Sequence, residues 1–210
     1  MILFLILMIL FVILVIITVG VYYIAFHSPN KTQNDDFSIS HSEQMDLVRD
    51  EIIEMIKATH QMPFERVETV SDDGLKLRGR YYHTKDGAPV VIGFHGYRGT
   101  PARDFSGGTQ LYLQAGFNLL MIEQRSHCSS EGHTITFGVR ERYDGLCWIR
   151  YVREHCGADT RIILAGISMG AATVLMMSGL DLPFSQLQTA FPTTPILAPS
   201  SFCSIPSCSR

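Results

Sequence analysis

Residues Arg161-Ile162-Ile163-Leu164-Ala165 run directly into Gly166-Ile167-Ser168-Met169-Gly170, with Ala171 and Ala172 beyond. Few folds accept such a run. It reads as a short buried strand, a turn that glycines make possible, and a helix that starts without a spacer. The same alternation recurs upstream: a strand at 89–94, a helix near 103–115, a strand from Phe117 to Ile122, a helix near 137–155, the strand Arg161 to Ala165, and a helix near 169–179. Strands that alternate with helices predict a parallel sheet with right-handed crossovers. Ahead of it, Phe64 to Thr69, a turn at Ser71-Asp72-Asp73-Gly74 and alternating Leu75, Leu77, Gly79 and Tyr81 predict an antiparallel hairpin.

Five letters of the form Gly-x-Ser-x-Gly also arise as an ordinary glycine turn. In a strand-to-helix setting they form a nucleophile elbow, which lifts the serine above the end of the sheet. A serine hydroxyl attacks poorly unless a base takes its proton and nearby donors stabilise the oxyanion. Ser168 is the candidate nucleophile, and the Met169 N–H at the helix start faces the charge that would develop.

Further motifs fall in register with this one. The strand Pro89-Val90-Val91-Ile92-Gly93-Phe94 leads into His95-Gly96-Tyr97-Arg98, a later strand ends in Glu123-Gln124-Arg125, and Ser129-Ser130-Glu131-Gly132 follows. Together with the elbow, these residues resemble the α/β-hydrolase superfamily, and within it the bacterial membrane-anchored, serine aminopeptidase-like and esterase-like branch. The resemblance covers roughly residues 64 to 183. It implies an esterase-, lipase- or peptidase-like enzyme that acts on an ester or amide, with the Tyr97 backbone N–H as the second oxyanion donor beside Met169. It also implies that His95 shapes the oxyanion loop and stands outside the triad. One departure is visible. The related pattern has a glycine after the histidine in the loop following the fourth core strand, where this chain has His127-Cys128, and the turn there is expected to be strained.

In this fold the triad runs Ser, then Asp or Glu, then His. None of the eight histidines lies beyond Ser168, and Asp181 is the one acid that does. Three more strand–helix units would take about 90 residues at about 30 each, whereas 31 follow Gly179. After Asp181-Leu182-Pro183 the composition changes: residues 184–210 hold six Ser, four Pro, three Thr and two Cys, with no acid and no glycine. The expectation is therefore a partial α/β-hydrolase domain at 45–183 whose C-terminal part is missing. The tail at 184–210 reads as disordered and foreign to the family, the product of a truncated or frameshifted reading frame. A short tail that binds a partner is the other reading. Triad acid and histidine are read as absent, and turnover as impaired.

The N-terminus adds a second constraint. Of the first 26 residues, 24 are apolar and none is charged, the exceptions being Thr18 and Gly20. A helix from Ile2 to Phe26 spans about 37 Å against about 30 Å of hydrocarbon core, so 1–26 reads as a transmembrane anchor. A cleaved secretory signal is the rival, but it would want a basic n-region and a small-residue cleavage site, and neither is present. Tyr22 and Tyr23 suit an interfacial belt. Lys31 is the one basic residue close to the apolar end, so charge does not orient the helix. Residues 27–44 read as a polar linker. Met45, Val48, Ile52, Met55 and Ile56 then recur at helical spacing, which predicts a helix over 45–58 that packs on the domain.

Other features have plain readings. The five cysteines form no Cys-x-x-Cys pair, and an odd number does not make a disulfide framework. Cys128 near His127 and His133 lacks metal-ligand spacing. Glu131, Glu141 and Asp144 serve loops and helix faces. A net charge of -3 gives no nucleic-acid surface. No cofactor and no metal is expected. The expected partners are a small-molecule ester or amide and, through the N-terminal helix, a membrane. The competing class is a non-catalytic, membrane-anchored binding or vestigial protein.

Overall fold

Val90, Val91, Ile92 and Phe94 are all fully buried, as an apolar run can be only when both faces of its strand are covered. In the computed structural model, which describes residues 1–28, 36–39, 41–180 and the backbone of 187–189, this run is strand β3 (Val90–Phe94). It lies between β4 (Asn118–Glu123) and β5 (Ile162–Gly166), parallel to both. The hairpin β1 (Glu65–Val70) and β2 (Lys76–Tyr82) extends the sheet, with β2 antiparallel to β4. The strand order is β1-β2-β4-β3-β5-β6. The sixth strand, β6 (Leu187–Thr189), pairs in parallel with β5.

Side chains alternate across the sheet, and each face recruits its own helices. One face carries Leu77, Val90, Ile92, Phe94, Leu120, Ile122, Ile162 and Leu164. These pack on Trp148, Ile149 and Val152 of helix α5 (Glu141–Cys156) and on Val174 and Met177 of α6 (Met169–Ser178). The other face carries Tyr82, Val91, Leu119, Met121 and Ala165 against Phe105, with Tyr112 and Leu113 of α4 (Ser106–Gln114). Gly93 faces the Phe105 ring, and a Cβ there would stand 3.0 Å from it.

The N-terminal helix α1 (Ile2–Ala25) has no buried residue and a mean hydropathy of 3.6, long and apolar enough to cross a membrane. Helix α2 (Glu43–Gln61) packs against α4 and against the single turn α3 (Pro101–Asp104). It starts two residues before the boundary read from periodicity, because Ser42 caps it: the Ser42 hydroxyl accepts from the Met45 N–H at 3.2 Å.

The helix predicted near 103–115 is two helices. Thr100 caps α3 with Pro101 at its first position, and the chain leaves helical geometry at Phe105. The helix predicted from 137 starts at Glu141. Its carboxylate turns back to accept from the amides of Thr136 and Gly138, at 2.8 Å each, and holds 136–140 as a loop. Strand β6 lies inside the tail at 184–210 that the composition reads as disordered, so three of those residues are a strand of the sheet; the other calls on 181–210 lie outside the described residues.

Trp148 is fully buried and touches both the hairpin and the central strands. Trp148→Ala is expected to cost about 3–5 kcal/mol, read as a lower denaturant midpoint with the slope unchanged.

Candidate active site

The turn between β5 and α6 is built by close approach. A Cβ on Gly166 would fall 2.4 Å from the Gly170 carbonyl, and one on Gly170 would fall 2.1 Å from the Phe94 carbonyl oxygen. Neither position accepts any side chain. Between them Ser168 adopts φ +53°, ψ −114°, outside the regions a serine ordinarily occupies. Its residue is exposed while Met169 and Gly170 beside it are buried. The strain is thus confined to the one residue that the turn raises to solvent, as the sequence motif predicts.

The loop after β3 stands against this turn. A Cβ on Gly96 would lie 3.6 Å from the Ser168 Cβ. Asp104 folds the loop from below: its Oδ2 accepts from the Gly96 N–H at 2.7 Å and fills the space beside Gly99. Among the described residues neither the Tyr97 nor the Met169 N–H donates to a protein acceptor, and no His, Asp or Glu side chain hydrogen-bonds the Ser168 hydroxyl.

His95 is wholly buried, and both its ring nitrogens are engaged. Nδ1 donates to the Gly96 carbonyl at 2.8 Å, and Nε2 accepts from the Gln124 N–H at 3.1 Å. His127 repeats the arrangement, donating from Nδ1 to the Arg125 carbonyl at 2.9 Å and accepting at Nε2 from the Arg98 N–H at 3.1 Å. The rings meet edge to face with centroids 4.7 Å apart. Both histidines staple the β3 loop to the β4 loop, and neither has a nitrogen left for Ser168.

No family model matches the chain. Over 124 residues it is 27% identical to a thiohydrolase, aneE, of Aspergillus aculeatus, covering 58% of this chain and 39% of that relative. Among solved structures, a Pyrococcus furiosus esterase superposes with a TM-score of 0.55 at 21% identity, over 74% of this chain and 53% of that one. The α/β hydrolase GrgF of a Penicillium species gives 0.53 at 20% identity, over 57% of this chain and 43% of that one. The fold is an α/β-hydrolase fold in part. The chain spans about half the length, or less, of the relatives it matches.

In this α/β-hydrolase frame the loop after β4 carries more strain than the sequence suggested. Cys128, at the departure from the family pattern, has φ +46°, and Ser126 has φ +64°. Nothing in the sequence singles out Ser126, since a positive φ at a non-glycine residue carries no sequence signal. Its hydroxyl donates to the Thr134 carbonyl at 3.0 Å, which offsets part of the cost. Buried Arg125 anchors the loop. Its Nε and Nη2 donate to the two Asp144 oxygens at 2.6 Å each, and its Nη1 reaches Asp73 at 2.9 Å. Those bonds hold Asp73 down at about 2. Glu123 accepts from the Ser129 N–H at 2.8 Å, and Glu131 from the Lys76 N–H at 3.0 Å. The acids of this region all serve loops.

The last turn of α1 also reaches this rim. The Tyr97 hydroxyl donates to the Ala25 carbonyl at 2.9 Å, and the Arg98 guanidinium to the Ile24 carbonyl at 2.7 Å. The Ile135 N–H donates to the Phe26 carbonyl at 2.8 Å, and Phe137 stacks on Tyr97 with centroids 5.0 Å apart. Tyr97 thus has a structural task for its side chain that is separate from its backbone.

Relieving a left-handed residue is worth about 1–2 kcal/mol, less about 0.5–1 kcal/mol for the freer unfolded chain. Ser126→Gly and Cys128→Gly are therefore each expected to raise stability in denaturant melts by up to about 0.5–1 kcal/mol, less whatever the side chain's own contact contributes. Burial pushes His95 well below its ordinary value and His127 below it too. The unfolded chain binds the protons that the fold rejects, so stability is full above about pH 6.5 and falls as the pH drops below it. Melts between pH 7.5 and 5.5 are expected to show a loss of up to about 1.4 kcal/mol per histidine per pH unit, with a shallower decline in His127→Asn.

Proposed function

We propose that Ser168 is the nucleophile of an acyl transfer, with the Tyr97 and Met169 amides forming the oxyanion hole. One observation carries this: an exposed serine at φ +53° between two glycines that accept no Cβ, with the β3 loop against it. An ordinary turn has no need of such a residue. The two amides, which have no protein acceptor among the described residues, suit donors kept for a ligand. The substrate class is an acyl ester or amide, and similarity to an esterase and a thiohydrolase favours oxygen and sulfur esters. The chain is held at a membrane as a single-pass protein by α1.

Acylation proceeds when Ser168 Oγ attacks the carbonyl carbon, its proton passes to a base, and the leaving group departs from the tetrahedral intermediate. Among the described residues no His, Asp or Glu side chain hydrogen-bonds the Ser168 hydroxyl, and His95 and His127 are engaged at both nitrogens. Turnover through that arrangement is therefore expected to be slow. Oxyanion stabilisation and binding alone leave about 10³–10⁴ over water. The second reading, a membrane-anchored binding protein without turnover, is favoured because no base bonds the Ser168 hydroxyl among the described residues.

Fluorophosphonate labelling decides between them. Labelling that is lost in Ser168→Ala, at a rate about 10³-fold or more below that of a complete serine hydrolase, is expected. No labelling after prolonged incubation would leave the binding reading. Fast labelling would mean that a base reaches Ser168 from elsewhere in the chain.

A further inference from the structure

The end of α1 and the mouth of the Ser168 site are the same surface. The helix has 24 residues and so runs about 36 Å, against about 30 Å of hydrocarbon core, which sets its last turn at the bilayer surface. The carbonyls of that last turn are held by Tyr97 and Arg98, one and two residues beyond the Gly96 that faces Ser168. Successive Cα atoms lie about 3.8 Å apart, so Ser168 is on the order of 15 Å from the helix end.

The side chains around this junction have interfacial chemistry. Tyr22, Tyr23 and Tyr97 combine aromatic rings with hydroxyls, and the Tyr22 hydroxyl bonds that of Thr134 at 3.3 Å. An exposed apolar strip then leaves the junction toward the elbow helix. Phe26 meets Phe137 edge to face at 5.5 Å, Phe137 is 37% exposed and Val139 53%, and the loop at Gly138 touches Met176 of α6, beside exposed Leu175. Exposed apolar side chains that continue a membrane-crossing helix have one solvent that suits them, the bilayer interface.

We propose that the rim carrying Ser168 lies on the bilayer surface and that the site takes its ester from the membrane, as an amphiphile whose acyl chain stays in the lipid. The ester bonds of such amphiphiles lie at the boundary between headgroup and hydrocarbon, which is the level at which the rim is held. The inference rests on α1 spanning the membrane. Tyr97 and Arg98 act here as positioning residues.

The full chain is reconstituted in phosphatidylcholine vesicles carrying a trace of phospholipid with a diazirine beside one ester carbonyl or, in parallel, at the chain methyl end. Photolysis, digestion and mass spectrometry then map the adducts, with no need for an activated serine. The ester-end probe is expected to label 97–98, 137–139, 175–176 and the peptide holding Ser168 several-fold above Leu111 and the 84–88 turn at the far end of the sheet. The methyl-end probe is expected on the middle of α1. Labelling of α1 without the rim overturns the inference and leaves the anchor standing, whereas labelling of neither removes the anchor as well. Rim labelling that spares the Ser168 peptide overturns the substrate assignment. Phe137→Ser with Val139→Ser is expected to lower rim labelling several-fold while α1 labelling stays; unchanged rim labelling would count against the strip.

Discussion

The contact on which the site depends is between backbones. Gly170 of α6 lies so near the end of β3 that no side chain fits between them, and Gly166 lies equally near Gly170. Packing of a helix directly on a neighbouring strand leaves the intervening residues little conformational choice, and the strain of the turn falls on Ser168. The two apolar faces of the sheet secure this approach. Met177 and Val174 hold α6 down on one side, and Phe105 fills the other beside Gly93.

Around the elbow, polar groups act as fasteners. His95 and His127 join the loop after β3 to the loop after β4, Asp104 folds the β3 loop upon itself, and Arg125 ties the β4 loop to the β1–β2 turn and to α5. Their partners are mostly backbone amides and carbonyls, which in buried loops must be satisfied somewhere. Neutral histidines suit this work, because one ring supplies both a donor and an acceptor. The result is a rim of fixed shape beneath a serine that stands clear of it.

Most of the sheet was legible because β3, β4 and β5 carry continuous apolar runs and Leu75, Leu77, Gly79 and Tyr81 alternate into and along β2; period and length decide such cases. The elbow was legible because two glycines in a five-residue window report two close approaches. The break at Phe105 and the late start at Glu141 were not, since both depend on hydrogen bonds that cap a turn and carry no periodic signal. Ser126 was missed because a positive φ at a non-glycine residue leaves no mark in the sequence, whereas Cys128 stood out only against the family pattern. Strand β6 lies in a stretch whose composition hides it: three residues held by pairing to β5 need no amphipathic period of their own.

The bonds between α1 and the β3 loop join residues 72 and 74 positions apart. At about 5–20 residues per second, Tyr97 leaves the ribosome roughly 4–14 s after Ala25. Helix formation itself takes about a microsecond. The final carbonyls of α1 therefore turn to water for millions of helix-forming times before Tyr97 and Arg98 exist. The domain docks onto a helix end already in place, so the order of synthesis makes the helix the template and the rim the part that must find it.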